Sequence, residues 1–333
     1  MRFTPQERAI ITDIENNPGD RDKYYRVWYV RKHNGGRREI SEPCDTLKEI
    51  QRTILKSLRK CDTTPEAIAY QWHRRSYIRR LKSTHRNANY ILKLDVKEFF
   101  PSIKPYHVLK AFTKIKFLAR QVSNMGLPLV ELCTMTDGLP QGAPTSPTIS
   151  NLVMRDFDIA MIRFIQDYNV VYTRYADDMH FSMRSLSDRW VSRRVMNIMI
   201  MKVKNRLRRK GMRLNYDKTR FIDTSSHKAL VLGITLNPDS NGICRKKYNQ
   251  LRGWTNRMLR NSEDVSLDEW KKYQGVMSHI YSIDKDRYEK LIDLSTYVRL
   301  KRFSVRDGKP LAVPRPREAQ EIPQRETNTY ILR

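Results

Sequence analysis

The chain has 333 residues, with 64 Lys plus Arg against 36 Asp plus Glu, a formal charge of +28 at pH 7. That length buries a core large enough to fold without disulfide or metal staples, and the charge excess points to a polyanionic partner, because each neutralised phosphate releases counterions. No window approaches the roughly 18 apolar residues of a membrane span, and the N-terminus "MRFTPQERAII" lacks the apolar stretch of a secretion signal, so a cytoplasmic protein with no membrane partner is expected.

In chain order, "YYRVWYVRKHNGGRREISEP" reads as two strands joined by a turn at Asn34-Gly35-Gly36. Residues 45–60 place Leu47, Ile50, Ile54 and Leu58 at helical spacing, with Asp45 suited to capping the start. In "QWHRRSYIRRLKSTHRNANY", Gln71 to Tyr90, basic residues alternate with rings, which suits a nucleic-acid backbone and its bases. Residues 89–96, "NYILKLDV", form an apolar strand ending in Asp95, followed by a helix from about Tyr106. The segment 148–165 sets Ile149, Leu152, Val153, Phe157, Ala160, Met161 and Phe164 on one helical face and belongs in the core. A hairpin comes next, then a basic helix over about Trp190–Lys210, the turn-like "GMRLNYDKTRF", and a strand pair around "ALVLGITLN" and "GICRKKY". Residues 246–302 read as helices, with a break near "NSEDVS" where Ser266 can cap the next one; the last thirty residues, with four prolines, read as a partly ordered tail. The cysteines Cys44, Cys61, Cys133 and Cys244 show no ligand or redox spacing and are expected to be small buried apolar residues.

The stretch "VVYTRYADDMHFS", Val170 to Ser182, sets Asp177 and Asp178 among β-branched and aromatic residues. Such a pair suits the bend of a hairpin built from Val170–Ala176 and Met179–Met183, and a polar tight turn alone would account for it. Asp95, however, ends another apolar strand. If the two strands are neighbours in one sheet, Asp95 and Asp177 converge, and their repulsion calls for cations. Hard divalent ions with oxygen ligands suit such a cluster, and two of them about 3.5–4 Å apart are the usual device of phosphoryl transfer. The long separation of the two positions along the chain leaves their adjacency open.

Five blocks in order, "LKLDVKEFFPSI", "GLPQGAPTSPTISNL", "YTRYADDMHFS", "LNYDKTRF" and "LVLGITL", resemble the reverse transcriptase family, and among its branches the bacterial retron enzymes. The resemblance covers roughly residues 25–300. It implies an α+β fold of right-hand polymerase type: fingers with the N-terminal segment in 1–90, a palm of antiparallel sheet flanked by helices in 91–240 with a finger insert at about 104–140, a helical thumb in 241–302, and a tail in 303–333. It implies that Asp95, Asp177 and Asp178 are the catalytic carboxylates holding two Mg²⁺ ions, with Asp178 in a supporting role, and that Lys218 is a proton donor near the pyrophosphate. Phe100, five residues after Asp95, would pack under the nucleotide sugar and exclude a 2′-hydroxyl, with Phe99 as its core neighbour. Gln141 and Gly142 would touch the incoming nucleotide, and Arg38, or the adjacent Arg37, would hold its triphosphate. The "LVLGITL" hairpin would grip the primer strand.

Within the helical thumb, "YQGVMSHIYSIDKDRY" resembles the retron type in particular, which makes Arg245, Lys246, Lys247, Arg252 and Trp254 candidates for RNA contact; a solvated helix with Trp254 partly packed is the plainer alternative. Two departures stand out. Where retron enzymes carry Asn-Ala-x-x-His and Val-Thr-Gly, this chain has "LKSTH" and "VLG", so His85, Val231 and Gly233 match while Leu81, Lys82 and Leu232 do not. The resemblance implies an RNA-directed DNA polymerase that takes dNTPs, copies a cognate structured noncoding RNA into a branched RNA–DNA product (msDNA), and acts with an effector protein in antiphage defence. A non-retron defence reverse transcriptase, an intron-type maturase and a non-catalytic RNA-binding scaffold are the alternatives.

Overall fold

The computed structural model describes residues 3–32, 35–71, 77–115, 118, 128–184, 189–236, 241–260, 265–293 and 296–301. The chain forms two compact units, residues 1–229 and 230–333. The first opens with helix α1 (Pro5–Asn16), started by a Thr4/Glu7 capping box. Strands β1 (Tyr25–Arg31) and β2 (Arg37–Pro43) then pair antiparallel from Tyr25↔Pro43 to Arg31↔Arg37; Asn34 of the expected turn lies outside the described residues. Helix α2 (Asp45–Leu58) buries Leu47, Ile50, Ile54 and Leu58, as their spacing requires. Asp45 does not cap it. Cys44 is the N-cap residue, held by its amide to the Tyr24 carbonyl, which leaves Asp45 in the first turn, where its charge still favours the helix N-terminus.

After α3 (Tyr77–Thr84) the chain enters β3 (Tyr90–Lys97), the centre of the five-stranded antiparallel sheet. Short helices α4 (Phe99–Ser102), α5 (Pro105–Thr113) and α6 (Pro128–Glu131) lead to the long α7 (Ser146–Ile165). The hairpin β4 (Val170–Tyr175) and β5 (Asp178–Met183) follows, then α8 (Arg189–Arg208), β6 (Arg213–Leu214) and β7 (Arg220–Asp223). The stretch read as a turn, "GMRLNYDKTRF", therefore contains two strands. Both are short and exist because β3 offers them an edge: β6 pairs at Val96 and Lys97, β7 at Tyr90 to Lys93. On its other side β3 pairs with β5 from Tyr90 to Asp95.

Period-two alternation gives this sheet two unlike faces. Tyr90, Leu92, Leu94 and Val96 join the apolar core with Tyr172, Met179 and Phe181, against which α7 and α8 bury Ile149, Leu152, Phe157, Met161, Met196, Met199 and Val203. Ala160 and Phe164 of the expected α7 face are only half-buried. Lys93 and Asp95, one residue out of phase with that set, belong to the opposite face.

The second unit begins within β8 (Ala229–Val231), which pairs with β9 (Ile234–Leu236); β9 pairs with β10 (Asn241–Gly242). The expected strand pair thus lies inside "ALVLGITL", turning at Leu232 and Gly233, both at positive φ (48° and 79°) as a two-residue hairpin turn demands. "GICRKKY" is not a strand beyond its first glycine: α9 (Arg245–Arg260) starts there. Helices α10 (Leu267–Ile283) and α11 (Lys285–Leu291) complete the unit, with Ser266 accepting the Glu269 amide as the expected cap. Asp284 caps α11 and also accepts the Ile243 amide at 3.0 Å. The tail after residue 301 and residues 72–76 of the basic, ring-rich stretch lie outside the described residues. All four cysteines are free, but only Cys133 is buried as expected; Cys44, at the exposed start of α2, and the half-buried Cys61 and Cys244 are not core residues.

Candidate active site

The β4–β5 hairpin turns through two residues, Ala176 and Asp177, because Tyr175 is paired with Asp178. Ala176 has φ +53°, a conformation that a β-carbon disfavours. The tight turn and the Asp177–Asp178 pair are one feature. Asp178 is the register partner of Asp95 across β3 and β5, and the Val96 amide donates to the Asp177 carbonyl at 3.2 Å. The sheet therefore brings Asp95 to the bend that carries Asp177 and Asp178.

Asp95 is buried, at 3% exposure. Its Oδ1 accepts from Asn215 Nδ2 and its Oδ2 from Lys218 Nζ, both at 2.8 Å, while its carbonyl accepts the Asn215 amide, also at 2.8 Å. The 3-10 turn Tyr216–Lys218, between β6 and β7, delivers both partners. Burial pushes the Asp177 carboxyl above its usual range, repulsion from Asp95 adds to that, and Lys218 and Arg38 oppose it. Asp178 is pushed up to about 6 by burial, then by Asp177 and Asp95, against the pull of Lys93 and Lys218. The hydrogen bond to Asp95 and the three surrounding carboxylates hold the Lys218 ammonium protonated to higher pH than usual.

Among the described residues no three His, Cys, Asp or Glu side chains converge on one metal-sized point, since Asp95 faces Asn215 and Lys218. The donor set nevertheless fits a hard divalent cation: it consists of carboxylate oxygens, and burial and mutual repulsion make two of the three groups resist ionisation, which a bound cation would offset.

The other expected residues fall around this centre or apart from it. Phe99 is buried and Phe100 half-buried on α4, their rings edge to face at 5.5 Å. Gln141 accepts the Ser41 amide of β2 at 2.8 Å through its carbonyl, and Gly142 packs against the same strand. Of the paired arginines, Arg38 is the one whose charge acts on Asp177; Arg37 is its neighbour on the alternate face of β2. Arg245, Lys246, Lys247 and Arg252 are exposed on α9 in the second unit, where Trp254 is half-buried with its ring edge-on to Tyr273 at 5.2 Å. Asn215 and Lys93 were not assigned from the sequence, although each had a signal. Asn215 precedes Lys218 by three residues in the same block, and Lys93 shares the Asp95 face by alternation.

Residues 30–236 match the reverse transcriptase (RNA-dependent DNA polymerase) family, and the chain belongs to it. It is accordingly an RNA-directed DNA polymerase with the α+β fold of that class. Its likeness is to retron enzymes. The chain is 28% identical over 280 residues to the retron Ec86 reverse transcriptase of Escherichia coli, covering 83% of this chain and 81% of that one. It is 29% identical over 299 residues to the Escherichia coli retron Ec83 reverse transcriptase, covering 84% and 91%. Among solved structures, apo telomerase from Candida tropicalis matches with a TM-score of 0.49 at 12% identity, over 84% of this chain and 59% of the telomerase. No helix among the described residues is long and apolar enough to cross a membrane.

Proposed function

We propose that the chain is the reverse transcriptase of a retron, copying a cognate structured noncoding RNA into a branched RNA–DNA product (msDNA) in antiphage defence. The observation that carries the polymerase chemistry is the register of β3 on β5, which sets Asp95 beside the bend bearing Asp177 and Asp178. Likeness to retron enzymes over most of the chain supports the rest. The fingers are residues 1–90 with the insert at about 104–140, the palm 91–240, the thumb 241–302 and the tail 303–333.

Asp95, Asp177 and Asp178 would hold two Mg²⁺ ions. Bound there, the ions supply the positive charge that stabilises the α-phosphate during attack by a primer hydroxyl. Lys218 keeps a proton at Nζ beside Asp95, available to the departing pyrophosphate. Arg38 takes the triphosphate, its positive charge already directed at the Asp177 side. The half-buried ring of Phe100 fills the space of a ribose 2′-hydroxyl, and the Gln141–Gly142 loop, fastened to β2, meets the nucleotide. Exposed Arg245, Lys246, Lys247 and Arg252, with Trp254, offer charge and a ring edge to the RNA stem. An effector protein and a cytoplasmic location complete this reading.

Incubation of the purified protein with a primed RNA, labelled dNTPs and Mg²⁺ should extend the primer. Asp177→Asn should reduce extension on the order of 1,000-fold with RNA affinity nearly unchanged; equal activity would remove the metal assignment. RNA binding without extension by the wild-type protein would identify a scaffold instead. Sequencing of copurifying nucleic acid tests the retron assignment, which requires DNA branched from one small RNA.

A further inference from the structure

The hairpin carrying Asp177 and Asp178 rests on a buried ion pair. Arg174 and Asp158 are both fully inaccessible, and their side chains meet as a fork: Nη2 donates to Oδ2 at 2.6 Å and Nε to Oδ1 at 2.9 Å. Packed apolar side chains of similar volume would stabilise a core at least as well as a buried pair, so the pair points to something that apolar groups cannot do. The free end of the guanidinium supplies it. Nη1 donates to Asn151 Oδ1 and to the Ala176 carbonyl, each at 3.1 Å. Ala176 is the residue at φ +53°, and its carbonyl belongs to the planar peptide that also carries the Asp177 amide. Arg174 thus fixes the plane from which Asp177 departs.

The same pair reaches a second segment. Thr64 Oγ1 donates to Asp158 Oδ2 at 3.1 Å and Asn151 Nδ2 to the Ala69 carbonyl at 2.8 Å. The Arg174 backbone pairs on both sides as well, its amide donating to Glu66 at 2.8 Å and its carbonyl accepting from Ile68 at 2.9 Å. Residues 64–69 are thereby docked along β4. The next residue, Tyr70, has φ +57° and sets its ring 5.9 Å from that of Tyr175, two positions before Asp177.

We propose that Arg174 and Asp158 are positioning residues for nucleotide transfer, which together set the Ala176–Asp177 peptide and seat the 64–70 segment beside it. This inference rests on the polymerase reading of the three carboxylates. Neither residue touches substrate; each acts through the bend.

The test is steady-state primer extension by the full-length protein, with thermal melts of the same samples. Arg174→Met combined with Asp158→Leu removes the charge but keeps volume; it also takes a partner from Thr64, Tyr172, Asn151 and the Ala176 carbonyl, so the protein should fold with a lower melting temperature while kcat falls about 100-fold through misplacement of the bend. Arg174→Lys keeps the charge beside Asp158, but a single ammonium cannot span Asp158, Asn151 and the Ala176 carbonyl; it should melt near wild type with kcat lowered about tenfold. A folded form of either variant with kcat within about threefold of wild type would overturn the proposal, as would unfolding of both, which would make the pair a matter of stability alone. If only the double variant fails to fold, Arg174→Lys decides. A wild-type protein that extends no primer would refute the polymerase reading and this inference with it, whereas an active wild type beside unimpaired variants would refute this inference alone.

Discussion

One added methyl group at Gly142 tests the candidate nucleotide site. Its φ is +144°, and a β-carbon there would stand 2.9 Å from the Ser41 carbonyl oxygen, 3.2 Å from the Ser41 carbonyl carbon and 3.4 Å from Ile40 Cγ2. The first two obstacles are backbone of β2, so no rotamer change relieves them. The conformation costs alanine about 1–3 kcal/mol, and the overlap adds to that unless the loop lifts away from β2. Lifting gives up the hydrogen bond from the Ser41 amide to the Gln141 carbonyl, worth about 1 kcal/mol. That is the cheaper route, and it holds the total to about 2–4 kcal/mol, or a melting temperature lower by about 4–16 °C. Function should suffer more, because the movement displaces Gln141 and frees the loop from the strand bearing Arg38. Gly142→Ala is expected to raise the KM for dNTP about tenfold, equivalent to about 1.4 kcal/mol of binding, with kcat changed less. Primer extension across a range of dNTP concentrations measures this, with Gly19→Ala, where nothing lies within 4 Å, as the control. A dNTP KM in Gly142→Ala equal to that of the control would refute the reasoning.

Phe100→Ala should raise ribonucleotide incorporation by about tenfold or more, read from extension with mixed rNTP and dNTP pools; unaltered sugar discrimination would leave Phe100 as a packing residue. Gly253 lies inside α9 with nothing within 4 Å of a built β-carbon, so Gly253→Ala should stabilise by about 0.5–1 kcal/mol in urea melts, and a lower midpoint would count against the helix. His85 is fully buried, with its ring nitrogens on Ser182 Oγ at 2.7 Å and Thr173 Oγ1 at 2.8 Å; burial pushes its imidazole down from 6.5 to about 3. The unfolded chain therefore takes up this proton first. Stability from this group is complete above about pH 6.5 and is lost as pH falls from there towards 3, at about 1.4 kcal/mol per pH unit. Between pH 8 and pH 5 the wild type should lose about 2 kcal/mol more than His85→Gln; parallel curves for the two proteins would show that His85 is not held neutral.

What the sequence disclosed depended on how far each pattern ran. Helix α7 and strand β3 were legible because their apolar positions repeat over enough residues to define a face. Strands β6 and β7, two and four residues long, carry no such repeat, and only the two vacant stretches of the β3 edge create them. The carboxylates could be found in their ordered blocks, but their meeting could not, since nothing local pairs β3 with β5. Arg174 was silent for a different reason. A charge in a strand reads as solvent-facing unless its partner is known, and Asp158 lies 16 positions away on α7. Cys44, Cys61 and Cys244 were misread because residue type alone says nothing about an N-cap or a half-buried connection.

A chain with so large a basic excess could easily have surrounded its acids with cations, yet among the described residues the hydrogen bonds pair one of the three directly with a lysine. Lys218 bonds directly to Asp95, whereas Lys93 and Arg38 act on Asp178 and Asp177 as charges at a distance. Two half-buried carboxylates are left resisting ionisation beside a bend held at an unfavourable φ, and a well-packed apolar turn would have neither cost. These costs fall on one face of one sheet, opposite the face where α7 and α8 bury the bulk of the apolar core. Destabilising features scattered at random would mark a poor fold; gathered at one bend, and braced from behind by Arg174, they mark the place where the fold gives up stability for chemistry.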